Sequence, residues 1–147
     1  MDDERWPLKF KALNEKAILP TRGHSTDVGL DLYTFGDRWI APGQSQRLHT
    51  YLAVDLDELY WGFITGRSST VLKHGVMVLS GIVDPGYKGE LMVVVHNVTQ
   101  EPVQLFDGLR LAQFITMWNY TMCYEPVWGE FTDESSRGSD GFGSTGV

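Results

Sequence analysis

Apolar and polar residues alternate along most of this chain with a period of two, in short runs separated by turn residues. Residues 8–13 (LKFKAL) alternate apolar with basic side chains, the pattern of a strand with one buried face. Residues 27–33 (DVGLDLY), 46–54 (QRLHTYLAV), 60–65 (YWGFIT), 103–106 (VQLF) and 111–117 (LAQFITM) read as further strands, and 39–43 (WIAPG) as a strand entering a turn. Residues 120–127, around Cys123, are expected to add another. Turn signals recur about every 8 to 12 residues, the spacing of an antiparallel sandwich, jelly roll or barrel. One segment departs from period two. GRSSTVLKHG at 66–75 offers hydroxyls for an N-cap, a few helical positions and Gly75 to end them, so it predicts a single short helix.

The centre of the pattern is SGIVDPGYKGE at 80–90, set between VMVL at 76–79 and LMVVV at 91–95. Pro85 fixes φ at the second position of a turn and Gly86 accepts positive φ at the third, so residues 84–87 predict a type II turn closing a hairpin. An Asp opening such a turn ordinarily bonds its own backbone, and the turn alone implies no chemistry. Asp31 is less ordinary, because it lies between leucines inside a strand, where an unpaired carboxylate is costly and calls for a hydrogen-bond partner or a cation. Gly29 nearby marks a bulge or a close approach of chain segments. The helix start beside Arg67, Ser68 and Ser69 suits an anion, though serines there are equally common as plain caps.

Composition narrows the class. With 147 residues, 42% of them hydrophobic, the chain makes one domain that buries roughly two-thirds of its unfolded surface. No apolar run approaches the ~18 residues of a membrane helix, and the acidic start lacks the basic-then-apolar order of a signal peptide. An intracellular protein without a membrane partner is expected, cytoplasmic or, for a viral chain, in the host cell. A formal charge of −7 argues against general nucleic-acid affinity, so any nucleotide must be held by local positive charge. Cys123 is the only cysteine, which excludes an intramolecular disulfide, and it is expected to be a small buried hydrophobe. His24, His49, His74 and His96 lack metal-ligand spacing and read as surface or strand residues. Trp39, Trp61, Trp118 and Trp128 read as core or subunit-contact residues, Lys73 and Lys88 as solvated cations, and Glu90 as half of a structural pair. From residue 132 onward the chain is rich in Gly, Ser and acid and cannot form a core. Yet Arg137, Phe142, Ser144 and Thr145 are what a flap over a nucleotide requires: a cation for phosphate, a ring for a base, hydroxyls for oxyanions. The chain therefore divides into a β domain, 1–131, and an arm, 132–147.

Five separated segments agree in kind and order with one known family: DVGLDL at 27–32, GRSS at 66–69, GIVDPGYKGE at 81–90, GLRLAQF at 108–114 and RGSDGFGSTG at 137–146. The chain resembles the trimeric dUTP diphosphatases, the dUTPases. The resemblance implies an all-β, jelly-roll-like antiparallel protomer with one short helix, assembled as a homotrimer. Three active sites lie at subunit contacts, each closed by a flexible C-terminal arm from a third chain. It implies Mg²⁺-dependent hydrolysis of dUTP to dUMP and pyrophosphate, which limits uracil incorporation into DNA and supplies dUMP for thymidylate synthesis. By the same resemblance Asp84 is the base that activates water, Tyr87 packs under the deoxyribose, and the backbone at Leu79, Gly81 and Ile82 reads uracil. Arg67, Ser68, the Ser69 amide and Gln113 meet the phosphates, with Arg137 reaching the γ-phosphate. Phe142 stacks on the base, while Gly143, Ser144 and Thr145 hold terminal phosphate oxygens. Asp31 contacts the metal through a water, an arrangement suited to an ion that keeps part of its hydration shell.

Three departures from the family pattern stand out. Ser69 and Thr70 occupy positions where many members carry a small residue and Gly, and Val78 stands where many bacterial members carry Asn. The Pro85-Gly86 and Arg-Ser-Ser features are shared with the related dCTP deaminases, the first alternative. Those enzymes place a catalytic glutamate at the position of Val94, and valine cannot relay protons. A non-catalytic, nucleotide-responsive member is the second alternative. It could lose its base or arm, whereas Asp31, Arg67, Ser68, Asp84, Tyr87, Gln113, Arg137 and Phe142 all stand.

Overall fold

Every predicted strand but one forms, and the strands gather into antiparallel ladders. The structure, a computed structural model, describes residues 5–132 and 134–141, so Phe142, Gly143, Ser144 and Thr145 lie outside the described residues. In chain order the elements are β1 (Lys9–Ala12), β2 (Leu30–Thr34), β3 (Arg38–Ile40), β4 (Ser45–His49), β5 (Leu52–Asp55) and β6 (Tyr60–Gly66). They continue with α1 (Thr70–His74), β7 (Val76–Leu79), β8 (Gly81–Val83), β9 (Met92–Asn97), β10 (Val103–Leu105) and β11 (Leu109–Trp118). One sheet has the order β2-β11-β6-β8 and another β4-β9-β7, flanked by the pairs β1-β5 and β10-β3. This is an all-β, jelly-roll-like antiparallel domain: the alternation predicts the antiparallel strands, and the family resemblance the jelly roll.

Period two explains which faces meet. On β9, Val93, Val95 and Asn97 are buried while Met92, Val94 and His96 are half-buried on the opposite face. Val93, Val95, Leu32, Ile64, Leu111 and Phe114 form the middle of a continuous core, and Phe10 of β1 meets the Phe114 ring edge-on at 5.9 Å. Each such side chain contributes roughly 1.5–3 kcal/mol by leaving water.

Several expectations are corrected. Residues 46–54 are not one strand: the chain breaks at Thr50 and Tyr51, where Tyr51 adopts φ 56°, the only positive φ of a non-glycine among the described residues. Such a backbone costs about 1–2 kcal/mol in a residue with a Cβ. The central hairpin is also more complicated than a turn between two strands. β7 and β9 do pair, Leu79 opposite Val94, but the chain between them crosses to the other sheet, where β8 pairs with β6 and sets Val83 opposite Gly62. Residues 120–127 form no strand. With no neighbouring strand to accept their backbone groups, they make a short 3-10 helix (Tyr120–Cys123) and then an exposed extended segment. Cys123 is consequently exposed, not buried. Trp39, Trp118 and Trp128 are exposed as well, so they are not core residues.

Candidate active site

The turn forms as its residues dictate. The Tyr87 N–H donates to the Asp84 carbonyl at 3.2 Å and Gly86 takes φ 81°, the geometry of a type II turn. Pro85 holds the corner, and the Asp84 side chain is left exposed at the rim of two adjoining clefts. One, of about 200 Å³, is bounded by Gly81, Ile82, Tyr87 and Glu90; the other, of about 310 Å³, by Trp61, Ile82, Asn119 and Thr121. β8 is the edge of its sheet, so one row of its backbone N–H and C=O groups is unpaired, and Ile82 is 69% exposed. Leu79 ends β7, itself an edge strand. Tyr87 stands half-exposed beside this open edge, its hydroxyl donating to the Glu90 carbonyl at 2.9 Å.

A second group assembles where β2, β11 and the end of β6 meet. Asp31 has a largely buried carboxylate paired to Arg67 Nε at 2.9 Å and to Arg110 Nη1 at 3.4 Å, so the cations it calls for are guanidiniums of the same chain. Arg67 also donates to the Arg110 carbonyl at 2.9 Å, beside the register shift between Arg110 and Ala112 on β11. Gln113 lies opposite Asp31 and donates to the Gly66 carbonyl at 2.9 Å. Ser68 is exposed and Ser69 half-buried at the start of α1, but Ser69 makes no side-chain cap; the buried Thr70 hydroxyl donates instead to the Leu111 carbonyl at 2.6 Å. At the other end of the helix, burial, then Lys73 and Arg67, push the His74 imidazole below its ordinary pKa, so it adds no positive charge here at neutral pH. Arg110 is missed by sequence reasoning. Its signal is a second arginine within GLRLAQF, on the strand paired with a carboxylate that needs cations.

Gly29 is a close approach, as its placement implies: a Cβ there would lie 2.1 Å from Gln113 Oε1. The simplest relief for Gly29→Ala is a swing of the Gln113 amide away from Gly66. We expect that substitution to lower stability by about 1 kcal/mol, the worth of one hydrogen bond, and to raise KM for a phosphate-bearing substrate. Thermal melting and steady-state kinetics read the two effects.

The two groups do not meet within one chain. Asp84 follows Val83, which pairs with Gly62 near the start of β6, whereas Arg67 follows Gly66 at its far end. At ~3.3 Å per residue, the six-residue span from Trp61 to Arg67 separates them by roughly 20 Å. Neither cleft beside Asp84 is lined by Asp31, Arg67, Ser68 or Gln113. Arg137 belongs to neither group and donates locally to the Asp140 carbonyl at 2.9 Å. Among the described residues no cluster of three or more His, Cys, Asp or Glu could cage a metal ion. A lone Asp31 carboxylate suits an ion that arrives on a phosphate ligand and keeps its waters.

The chain matches the dUTPase family over residues 15–146. The deoxyuridine 5'-triphosphate nucleotidohydrolase of Clostridium novyi is 37% identical over 142 residues, 95% of this chain and 99% of that protein. The one from Gloeothece citriformis is 38% identical over 142 residues, 95% and 97% of the two chains. Among solved structures, the Staphylococcus bacteriophage 80alpha dUTPase with dUPNHPP superposes with a TM-score of 0.84 at 26% identity, over 96% of this chain and 99% of that one. The chain belongs to the dUTPase family.

Proposed function

We propose that this chain hydrolyses dUTP to dUMP and pyrophosphate as a homotrimer whose active sites lie between copies. The observation that carries the reading is the exposed Asp84 carboxylate, set between an open strand edge and the Tyr87 ring in a chain of this family. The unpaired edge at Leu79, Gly81 and Ile82 reads uracil through backbone donors and acceptors, and Tyr87 fills the space that a 2′-hydroxyl needs. Asp84 orients a water and takes its proton. The water oxygen bonds to the α-phosphorus as the bond from that phosphorus to the bridging oxygen breaks, so pyrophosphate leaves and dUMP keeps the new oxygen.

The phosphate wall is Arg67, Ser68, the Ser69 amide and Gln113 of a neighbouring copy. The roughly 20 Å between these residues and Asp84 along one chain supports that division. The arm, 132–147, completes the site from a third copy over the 1–131 domain, with Arg137 on the γ-phosphate, Phe142 on the base, and Gly143, Ser144 and Thr145 on phosphate oxygens. Mg²⁺, when bound, would supply charge neutralisation on the triphosphate, and Asp31 would hold it through a water. Arg67 and Arg110, which neutralise Asp31 in the free chain, are then available to the phosphates. The reaction belongs inside the cell, where its nucleotide substrate is made.

Separate incubations with dUTP and with dCTP, each with Mg²⁺ and mass analysis of assembly and products, test the reading. dUMP and pyrophosphate from a trimer support it; ammonia from dCTP would support the deaminase alternative instead. Tyr87→Val is expected to narrow the preference for dUTP over UTP by at least about tenfold, the effect of removing a built steric and packing contrast. An unchanged kcat/KM ratio for the two nucleotides removes Tyr87 from sugar selection.

A further inference from the structure

The strained Tyr51 faces neither a ligand cleft nor the middle of the core. Its ring lies parallel to the imidazole of His49, 4.9 Å away with 6° between the planes, and 5.5 Å from the tilted ring of Phe35. His49 directs Nδ1 at both carboxylate oxygens of Glu90, at 2.8 and 3.2 Å, and the Glu90 side chain is only 20% exposed. The same Glu90 accepts the Tyr87 hydroxyl through its carbonyl at 2.9 Å. Gly89, between them, makes room for the Tyr87 hydroxyl against the backbone, because a Cβ there would lie 2.4 Å from the phenol oxygen.

The limb that carries Tyr87 is already fastened without His49. The Leu91 N–H donates to the Leu52 carbonyl at 2.7 Å, the Thr50 hydroxyl donates to the Leu91 carbonyl at 2.6 Å, and Lys88 pairs with Asp55. None of these bonds touches the Glu90 carboxylate. A hydrogen-bonded, ring-propped imidazole aimed at that carboxylate holds the part of Glu90 that these bonds leave free, the side chain of the residue whose carbonyl receives the Tyr87 hydroxyl. Strain held at Tyr51 is the mark of a conformation that its surroundings maintain for a purpose.

We infer that Tyr51, His49 and Glu90 are positioning residues for sugar selection. Tyr51 props His49, His49 orients Glu90, and Glu90 sets the Tyr87 ring against which deoxyribose and ribose are sorted. The inference rests on the sugar-selecting role proposed for Tyr87. Its test measures kcat/KM for dUTP and UTP, together with melting temperature, in wild type, Tyr87→Val, His49→Ala, His49→Asn and Tyr51→Gly.

His49→Ala and Tyr51→Gly are expected to lower the dUTP-to-UTP ratio by about fivefold or more, the order set by losing one charge-assisted hydrogen bond. His49→Asn, whose amide can still donate to Glu90, is expected to restore most of it. Tyr51→Gly suits a positive φ, so its ratio falls without a matching fall in melting temperature. Should His49→Ala fail to fold, Tyr51→Gly and His49→Asn decide the matter. An unchanged ratio in Tyr51→Gly, with Tyr87→Val impaired, overturns the inference and leaves the role of Tyr87 standing. A ratio that falls only in step with melting temperature, without rescue by His49→Asn, also overturns it. An unchanged ratio in Tyr87→Val overturns both.

Discussion

Asp84→Asn is expected to lower the turnover of dUTP by at least about 100-fold, the lower end of what a positioned general base contributes. Asn keeps the size and the turn-forming character of Asp but cannot take a proton from water. Because the side chain is exposed and the turn is held by the Tyr87 N–H to the Asp84 carbonyl, the fold loses nothing. Binding of a non-hydrolysable dUTP analogue, measured by calorimetry, therefore stays within a few-fold of wild type while single-turnover hydrolysis collapses. Near-wild-type hydrolysis by this variant would remove Asp84 from the chemistry and leave the clefts around it as binding surface only.

Removing residues 137–147 is expected to lower kcat/KM for dUTP by about 100-fold or more, because the proposed site then loses a cationic contact and a ring that covers it from bulk solvent. The described part of this segment makes only local bonds, such as the Gly138 N–H to the Ser135 carbonyl at 3.1 Å and Arg137 to the Asp140 carbonyl. Melting temperature of the truncated chain is accordingly expected within about 2 °C of wild type, well inside the shift that 1 kcal/mol produces in a domain of this size. Unchanged kinetics would exclude the arm from the mechanism, and a large loss of stability would make it part of the fold.

Local chemistry made much of this legible in the sequence. Pro85 and Gly86 specify their turn whatever surrounds them, and alternation along residues 92–97 specifies which face of β9 is inside. What stayed hidden depends on partners distant in sequence. Nothing in GIV at 81–83 distinguishes a loop from a strand until β6 is seen beside it. The stretch 46–54 reads as continuous because nothing in it signals the positive φ at Tyr51, whose ring lies against His49 two residues earlier and Phe35 on a neighbouring segment. Asp31 announced that it needed a cation, but only the ladder between β2 and β11 brings Arg110 to it. Residues 120–127 carry enough aromatic and β-branched character to suggest a strand, and fail to form one for want of an edge to join.

The placement of Asp84 and Arg67 at opposite ends of β6 also governs how activity responds to dilution. On the division of the site proposed above, a single chain holds part of a reaction centre at each end of a strand and completes neither. Below the concentration at which copies associate, the observed rate is then expected to rise faster than linearly with protein, with a reaction order above one in chain. Newly made, unassembled copies are expected to be catalytically silent, so that the onset of hydrolysis would report assembly itself.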